Sequence, residues 1–213
     1  MHCIDRMIYP IESARTSSLR HRRKGLGVSG LHGVFMRLKL VCDAPEAKKL
    51  NKLIFETIYR AAVLESSELA RVKGGTKLSP ARLPARASFS LKCGARRLFL
   101  QRLGGIRKNM VRYGLRNSLL MALMPTVSCA SIASVTESFE ILTSNLYSRK
   151  IMAGEHSIVY KYMMWELVDL GLRNKNLPER LLSNNGSIQL SKGDIPADVC
   201  HRYGTVWEYK MRD

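Results

Sequence analysis

Residues 114–131 read Gly-Leu-Arg-Asn-Ser-Leu-Leu-Met-Ala-Leu-Met-Pro-Thr-Val-Ser-Cys-Ala-Ser. Leu119 to Met124 are all apolar, and the run is bounded by Asn117-Ser118 on one side and by Pro125-Thr126 on the other. Such a run fits a strand buried on both faces, as in a parallel sheet, and a short buried helix has the same pattern. Beyond it Thr126, Ser128 and Ser131 supply hydroxyls, and Ser128 is placed to cap a short helix through Ala130, Ile132 and Ala133. A helix start presents unpaired amides and the positive end of the dipole, which suits a phosphate. On the pattern alone an ordinary strand, turn and capped helix without ligand is the favoured reading.

With 213 residues, 46% of them hydrophobic, the chain can bury a sizeable core and is not expected to be disordered. No apolar run approaches the ~20 residues of a membrane span, and Asp5, Arg6 and Pro10 do not make a signal peptide, so a cytoplasmic protein is expected. The five cysteines, at 3, 42, 93, 129 and 200, form no CxxC pair and no metal spacing. They read as reduced thiols with no metal site.

The net charge of +18 raises the question of nucleic acid. Its distribution argues against that partner. From Leu69 to Thr136 there is no acidic residue, while 13 of the 35 Lys and Arg fall there, so the excess belongs mostly to one segment. Within it, residues 75–105 carry Pro80, Pro84, four glycines and seven basic residues with no convincing period, and read as a loop or disordered stretch. Only Phe89 and Phe99 could stack on bases, which weakens the reading as a small basic nucleic-acid-binding protein.

Elsewhere the periods are clearer. Residues 1–23 form a basic, loop-like lead. Gly25-Leu26-Gly27-Val28-Ser29-Gly30 matches GxGxxG, yet a charged run stands where the dinucleotide fold needs a strand, so the segment reads as a helix entry feeding Leu31, Val34, Phe35 and Leu38 into a core. Asp43-Ala44-Pro45-Glu46 starts a long amphipathic helix, with Asp43 as N-cap. It carries Leu50, Leu53, Ile54, Ile58, Ala61, Ala62, Leu64 and Leu69 inward to about Val72, with Gly74 as its stop. Asn145 to Met152 is a second strand candidate. Ile158, Val159, Tyr162, Met163, Leu167 and Leu170 follow in helical spacing to Gly171, and Asp194-Ile195-Pro196-Ala197 opens a last helix running into Trp207 and Tyr209.

Gly114-Leu115-Arg116-Asn117-Ser118 followed by Ala122 to Ser128 resembles the signature of the large subunit of class I ribonucleotide reductase. Glu137 to Glu140, Thr143 to Arg149, Gly154-Glu155, Asn185 to Gln189 and Thr205 to Glu208 resemble that family in the same order and at fitting spacing. A colinear series of this kind is far more specific than one motif. The resemblance implies an α/β fold, a helix-rich part of the ten-stranded reductase barrel extending over residues 1–213. It implies a fragment of an enzyme that reduces ribonucleoside diphosphates to deoxyribonucleoside diphosphates, with a small radical-generating subunit and a second large subunit as partners. The loop that grips the substrate diphosphate then carries over to Thr126, Val127, Ser128 and Cys129. Cys129 departs from the family, which usually has a hydroxyl there, and a thiol is a poorer donor to phosphate.

The same resemblance implies that the radical cysteine, the redox cysteines, the catalytic asparagine and glutamate and the tyrosine pair all align outside residues 1–213. No catalytic residue is therefore expected in this chain, and it is expected to be inactive alone. No cofactor is expected either: the family draws its radical from the small subunit's metal centre and takes ATP and dNTP effectors at regions absent here. Codons permitted by Gly75 to Arg86 and onward to Gly94 spell, one frame over, the acidic tryptophan-containing segment that the family has at this place. Residues 75–105 therefore read as a frame-shifted stretch, and a pseudogene product without function is a further alternative.

Overall fold

A computed structural model of the chain describes residues 3–76, 104–152, 154–173, 176–189 and 193–210. The basic segment expected over 75–105 lies outside them, apart from Gly75, Thr76 and the backbone of 104–105. In chain order the elements are α1 (Cys3–Arg6), α2 (Glu12–His21), α3 (Leu31–Arg37), α4 (Pro45–Lys73), α5 (Gly104–Tyr113), α6 (Val127–Ala133), β1 (Leu146–Ile151), β2 (Gly154–Val159), α7 (Lys161–Asp169), α8 (Leu177–Ser183) and α9 (Ala197–Arg202). They fall into two compact units that alternate along the sequence, one of residues 1–27 and 50–123, the other of residues 28–49 and 124–213.

In the first unit the expected basic loop is helical over Glu12–His21. Arg22 ends α2 by turning left-handed (φ 44°), which lets its amide donate to Ser18 O at 2.8 Å, and its guanidinium reaches Asp5 at 2.9 Å. Beyond this stop the chain runs extended and parallel to residues 119–122. Lys24 N donates to Leu119 O, Leu26 N to Leu120 O and Ala122 N to Leu26 O, at 2.9 to 3.0 Å. Gly27 permits this approach, since a Cβ there would stand 2.8 Å from the Ala122 carbonyl oxygen. Close strand contact thus accounts for a glycine of the GxGxxG match. The apolar run is not buried on both faces: Leu120 is 8% exposed, but Leu119 and Leu123 remain 53% and 42% exposed. Among the described residues the extended lead is its one strand partner, so alternate side chains face outward.

The long helix α4 closes at Gly74 (φ 79°), as its sequence predicts. Its start is different, because the Ala44 carbonyl takes the first helical bond, from Lys48 N, and Asp43 lies one residue outside. Its buried face also differs. Ala62, Val63, Ser66, Ser67 and Ala70 are buried, whereas Leu53 and Leu64 stay nearly half exposed. Small residues are needed there because the backbone of 116–117 lies directly on the helix. Arg116 N donates to Ser66 O at 3.0 Å, and Asn117 N to Ser66 Oγ at 3.1 Å. Ser66 Oγ donates to Asn117 Oδ1 at 3.0 Å, and Asn117 Nδ2 donates to Arg22 O at 2.7 Å. The Arg116 guanidinium then caps α4 through the carbonyls of Lys73 and Gly74, at 2.9 and 3.0 Å. Ala62, Val63, Leu115 and Leu120 form the apolar cluster beneath, joined by Tyr59 and Met110.

The second unit is built around β1 and β2, an antiparallel pair running from Leu146↔Val159 to Ile151↔Gly154. Ile158 and Val159 therefore belong to a strand, not to the following helix, which starts at Lys161 and closes at Gly171 (φ 68°). Their spacing suited both periods, and pairing with β1 decides between them. Helix α3 buries Leu31 and Phe35 as expected, together with His32 and Met36, while Val34 and Leu38 are 41% and 54% exposed. The rotation follows from the Tyr162 ring lying against Gly33 and from the 2.8 Å hydrogen bond between His32 Nδ1 and the Tyr160 hydroxyl. Asn145 ties the unit together. Its Nδ2 donates to Gly186 O at 3.0 Å and to Tyr203 O at 2.8 Å, and its carbonyl accepts from Tyr160 N at 2.9 Å. Gly186 is irreplaceable in this arrangement, since it has φ 81° and an added Cβ would stand 1.7 Å from Ser144 Oγ. Glu208 gathers the amide of Thr205, Gln189 Nε2 and the Ser187 hydroxyl. Helix α9 ends at Arg202, short of Trp207 and Tyr209, and Trp207 is 81% exposed in the turn that follows.

Two measurements check this account. Asn117→Ala removes the donor to Arg22 O and the acceptor of the Ser66 hydroxyl proton, leaving only the backbone amide of residue 117 on Ser66 Oγ, and chemical denaturation is expected to show a loss of about 2 kcal/mol or more. Burial holds the His32 imidazole down at about 4, below its ordinary 6.5. The unfolded chain therefore binds the extra proton first, and stability is expected to fall as pH drops from 6.5 towards 4, by on the order of 3 kcal/mol. Denaturation curves of His32→Gln against the parent over that range are expected to show a flatter pH dependence.

Candidate functional site

The residues singled out from sequence, Thr126, Val127, Ser128 and Cys129, are contiguous at the start of α6. Ser128 is not the cap; Thr126 takes that position, and the Ala130 amide donates to its carbonyl at 2.8 Å. The Thr126 side chain makes no capping bond. Helix geometry leaves the amides of Val127, Ser128 and Cys129 without intrahelical acceptors. Val127, Ser128 and Cys129 are exposed, Thr126 is half-buried, and Ala130 anchors the helix at 1% exposure. The far end is held by a left-handed Ser134 (φ 51°) and by Val135 N donating to Ala130 O at 3.0 Å.

This arrangement offers a short row of hydroxyl and amide donors on an accessible turn, which suits an oxyanion ligand. Sequence reading missed one neighbour. Ser29 places its Oγ 2.7 Å from Thr126 Oγ1, although the two lie far apart along the chain. Nothing in the local pattern marked it beyond a hydroxyl inside the GxGxxG match.

The thiols separate by environment. Cys3 and Cys129 are exposed and free, Cys42 is half-buried and free, and Cys200 is buried among the carbonyls of Ile188 and Ile195 at 3.8 Å. Burial, with the neighbouring Asp43 carboxylate adding to it, pushes the Cys42 thiol up to about 12. Among the described residues no group of His, Cys, Asp and Glu could hold a metal ion. A cavity of about 440 Å³ opens beside β1 and α8, lined by Leu146, Val159, Met164, Arg173, Leu177 and Leu181 among others. None of the predicted site residues lines it.

Comparison with known proteins places this geometry. The model of the ribonucleotide reductase barrel domain matches residues 1–213. This chain belongs to the ribonucleotide reductase family. The chain is 43% identical to the ribonucleoside-diphosphate reductase large subunit of Caenorhabditis elegans, over 99% of its own length and 27% of that protein's. It is 39% identical to large chain 2 of Saccharomyces cerevisiae, over 98% and 24%. Among solved structures it resembles the Actinobacillus ureae class Id ribonucleotide reductase alpha subunit, with a TM-score of 0.67 and 26% identity, over 95% of this chain and 31% of that one. The chain thus spans about a quarter of the length of its curated relatives. Its α/β elements are a helix-rich part of the reductase barrel.

Within the reductase frame, the motifs scattered along the sequence have physical roles. The Gly114–Ser118 motif supplies the Asn117 and Arg116 bonds to α4. The Thr143–Arg149, Asn185–Gln189 and Thr205–Glu208 motifs meet through Asn145, Gly186 and Glu208. Native-state alkylation followed by mass spectrometry is expected to modify Cys3 and Cys129 first and Cys200 only after denaturation.

Proposed function

We propose that this chain carries the substrate-diphosphate loop of a ribonucleoside-diphosphate reductase large subunit, at Thr126, Val127, Ser128 and Cys129. The observation that carries the reading is the Thr126 hydroxyl, which is not spent on capping its own helix, at the head of an exposed donor-lined turn in a chain of this family. Two hydroxyls and three backbone amides can each donate to phosphate oxygens, and charge-assisted bonds of that kind are stronger than neutral ones. Cys129 contributes mainly its amide, since its thiol is a weak donor.

In a complete enzyme the loop's task is to hold a ribonucleoside diphosphate by its phosphates while the chemistry proceeds elsewhere. The relatives are named as reductases of ribonucleoside diphosphates, and the substrate class follows from them. A small radical-generating subunit and a second large subunit are the partners proposed for the whole protein, with a cytoplasmic location. No helix among the described residues is long and apolar enough to cross a membrane. No catalytic or cofactor-binding side chain is assigned to this chain. Its contribution alone is binding without turnover.

The purified chain is expected to form no deoxynucleotide from ribonucleoside diphosphates in the presence of a dithiol reductant. Inorganic pyrophosphate and ADP are expected to slow alkylation of Cys129, whereas adenosine is not. Thr126→Val is expected to weaken that protection several-fold, as the loss of one charge-assisted donor predicts. Turnover by the chain alone, or equal protection by adenosine, would overturn this assignment.

A further inference from the structure

The strongest unassigned contact is the hydroxyl pair Ser29 Oγ and Thr126 Oγ1, 2.7 Å apart. A threonine hydroxyl has one proton and two lone pairs. If Thr126 gives its proton to a phosphate oxygen, the 2.7 Å contact with Ser29 persists as a hydrogen bond only with Ser29 as its donor. The two hydroxyls then form a directed chain, from Ser29 through Thr126 to the anion, and each bond in such a chain polarises and strengthens the next.

Ser29 is well placed to hold that direction. Its neighbours are tied to the segment that follows α6: Gly30 N donates to Thr136 O at 2.9 Å, and Leu31 N to Ser138 O at 3.4 Å. Gly30 is left-handed (φ 76°), and the Val135 side chain occupies the place where a Cβ would stand. The segment carrying Ser29 is thus fastened beyond the C-terminal end of α6, while its hydroxyl meets the N-terminal end. Helix α6 is braced at both ends by one stretch of chain. Ser29 itself is exposed and fills no core space, so its side chain has no packing role to explain it.

We propose that Ser29 is a positioning residue for the diphosphate loop, orienting the Thr126 hydroxyl so that its proton points at a phosphate oxygen. This rests on the assignment of Thr126 to Cys129 as a diphosphate loop. Ser29 does not contact the anion itself. It acts through Thr126.

The test uses the full chain and inorganic pyrophosphate, read as protection of Cys129 from alkylation, with thermal unfolding of each variant measured alongside. Ser29→Ala is expected to raise the half-protecting concentration about fivefold, the loss of one neutral hydrogen bond, with the melting temperature unchanged. Ser29→Thr restores it to within about twofold on the same basis. In a Thr126→Val background, Ser29→Ala adds nothing, because the hydroxyl it orients is gone. Ser29→Cys, close in shape but a poorer donor, is expected to weaken protection and serves in place of alanine if that variant unfolds. Should Ser29→Ala or Ser29→Cys protect like the parent while Thr126→Val does not, the positioning role is wrong and the loop assignment stands. Should pyrophosphate leave the parent's Cys129 unprotected, both fall.

Discussion

The amide of Asn117 is the fastening on which the first unit depends. One buried side chain accepts from Ser66 on α4 and donates to Arg22 at the end of the extended lead, while its own backbone amide returns a bond to Ser66. Each such bond is worth only about 1 kcal/mol net, but leaving any of its partners buried and unpaired costs about 1–3 kcal/mol. That asymmetry makes the position specific: an apolar side chain of the same size would fit and still unfasten three segments. Two residues later the chain enters the run that leads to the candidate loop.

Asn145 repeats the solution in the second unit, joining the residue before β1 to the turn at Gly186 and to the end of α9. A buried ion pair between Arg202 and Glu166 sits behind it, and the Tyr203 hydroxyl donates to the same carboxylate at 2.7 Å. Burial, with that carboxylate's charge adding to it, raises the Tyr203 phenol well above its ordinary range, so it remains a donor at any physiological pH. These polar joints account for the loop-rich parts of the fold, where little apolar surface is available. Elsewhere apolar side chains remain exposed, among them Ile8 (93%), Ile132 (85%) and Val111 (75%).

How much of this was legible in the sequence depended on whether the signal was local. The extent of α4 and its glycine stop were readable because period and cap are local properties. Its buried face was not. A leucine stripe looked like the core, whereas Ser66 and Ser67 are buried because a distant backbone lies on them. Ile158 and Val159 satisfy the helical and the strand period alike, and only the partner strand decides. The candidate loop is legible through its hydroxyls and the family resemblance, with its cap two residues off, at Ser128 instead of Thr126. Ser29 escaped because its partner is remote in sequence, and a hydrogen bond between remote residues leaves no periodic trace.

The alternation of the two units along the chain bears on how such a protein could be shortened or assembled. Residues 28–49 belong with 124–213, and residues 50–123 with 1–27. Neither unit is a contiguous stretch of sequence, so no single cut releases one of them whole. A truncation from either terminus removes part of one unit and leaves the other still interrupted in sequence by a segment that is not its own. During synthesis, the unit containing the candidate loop waits for its second half, and residues 28–49 spend that interval without their eventual neighbours. Non-local closure of this kind slows folding, and it makes the order in which segments emerge a constraint on this chain as real as any contact within it.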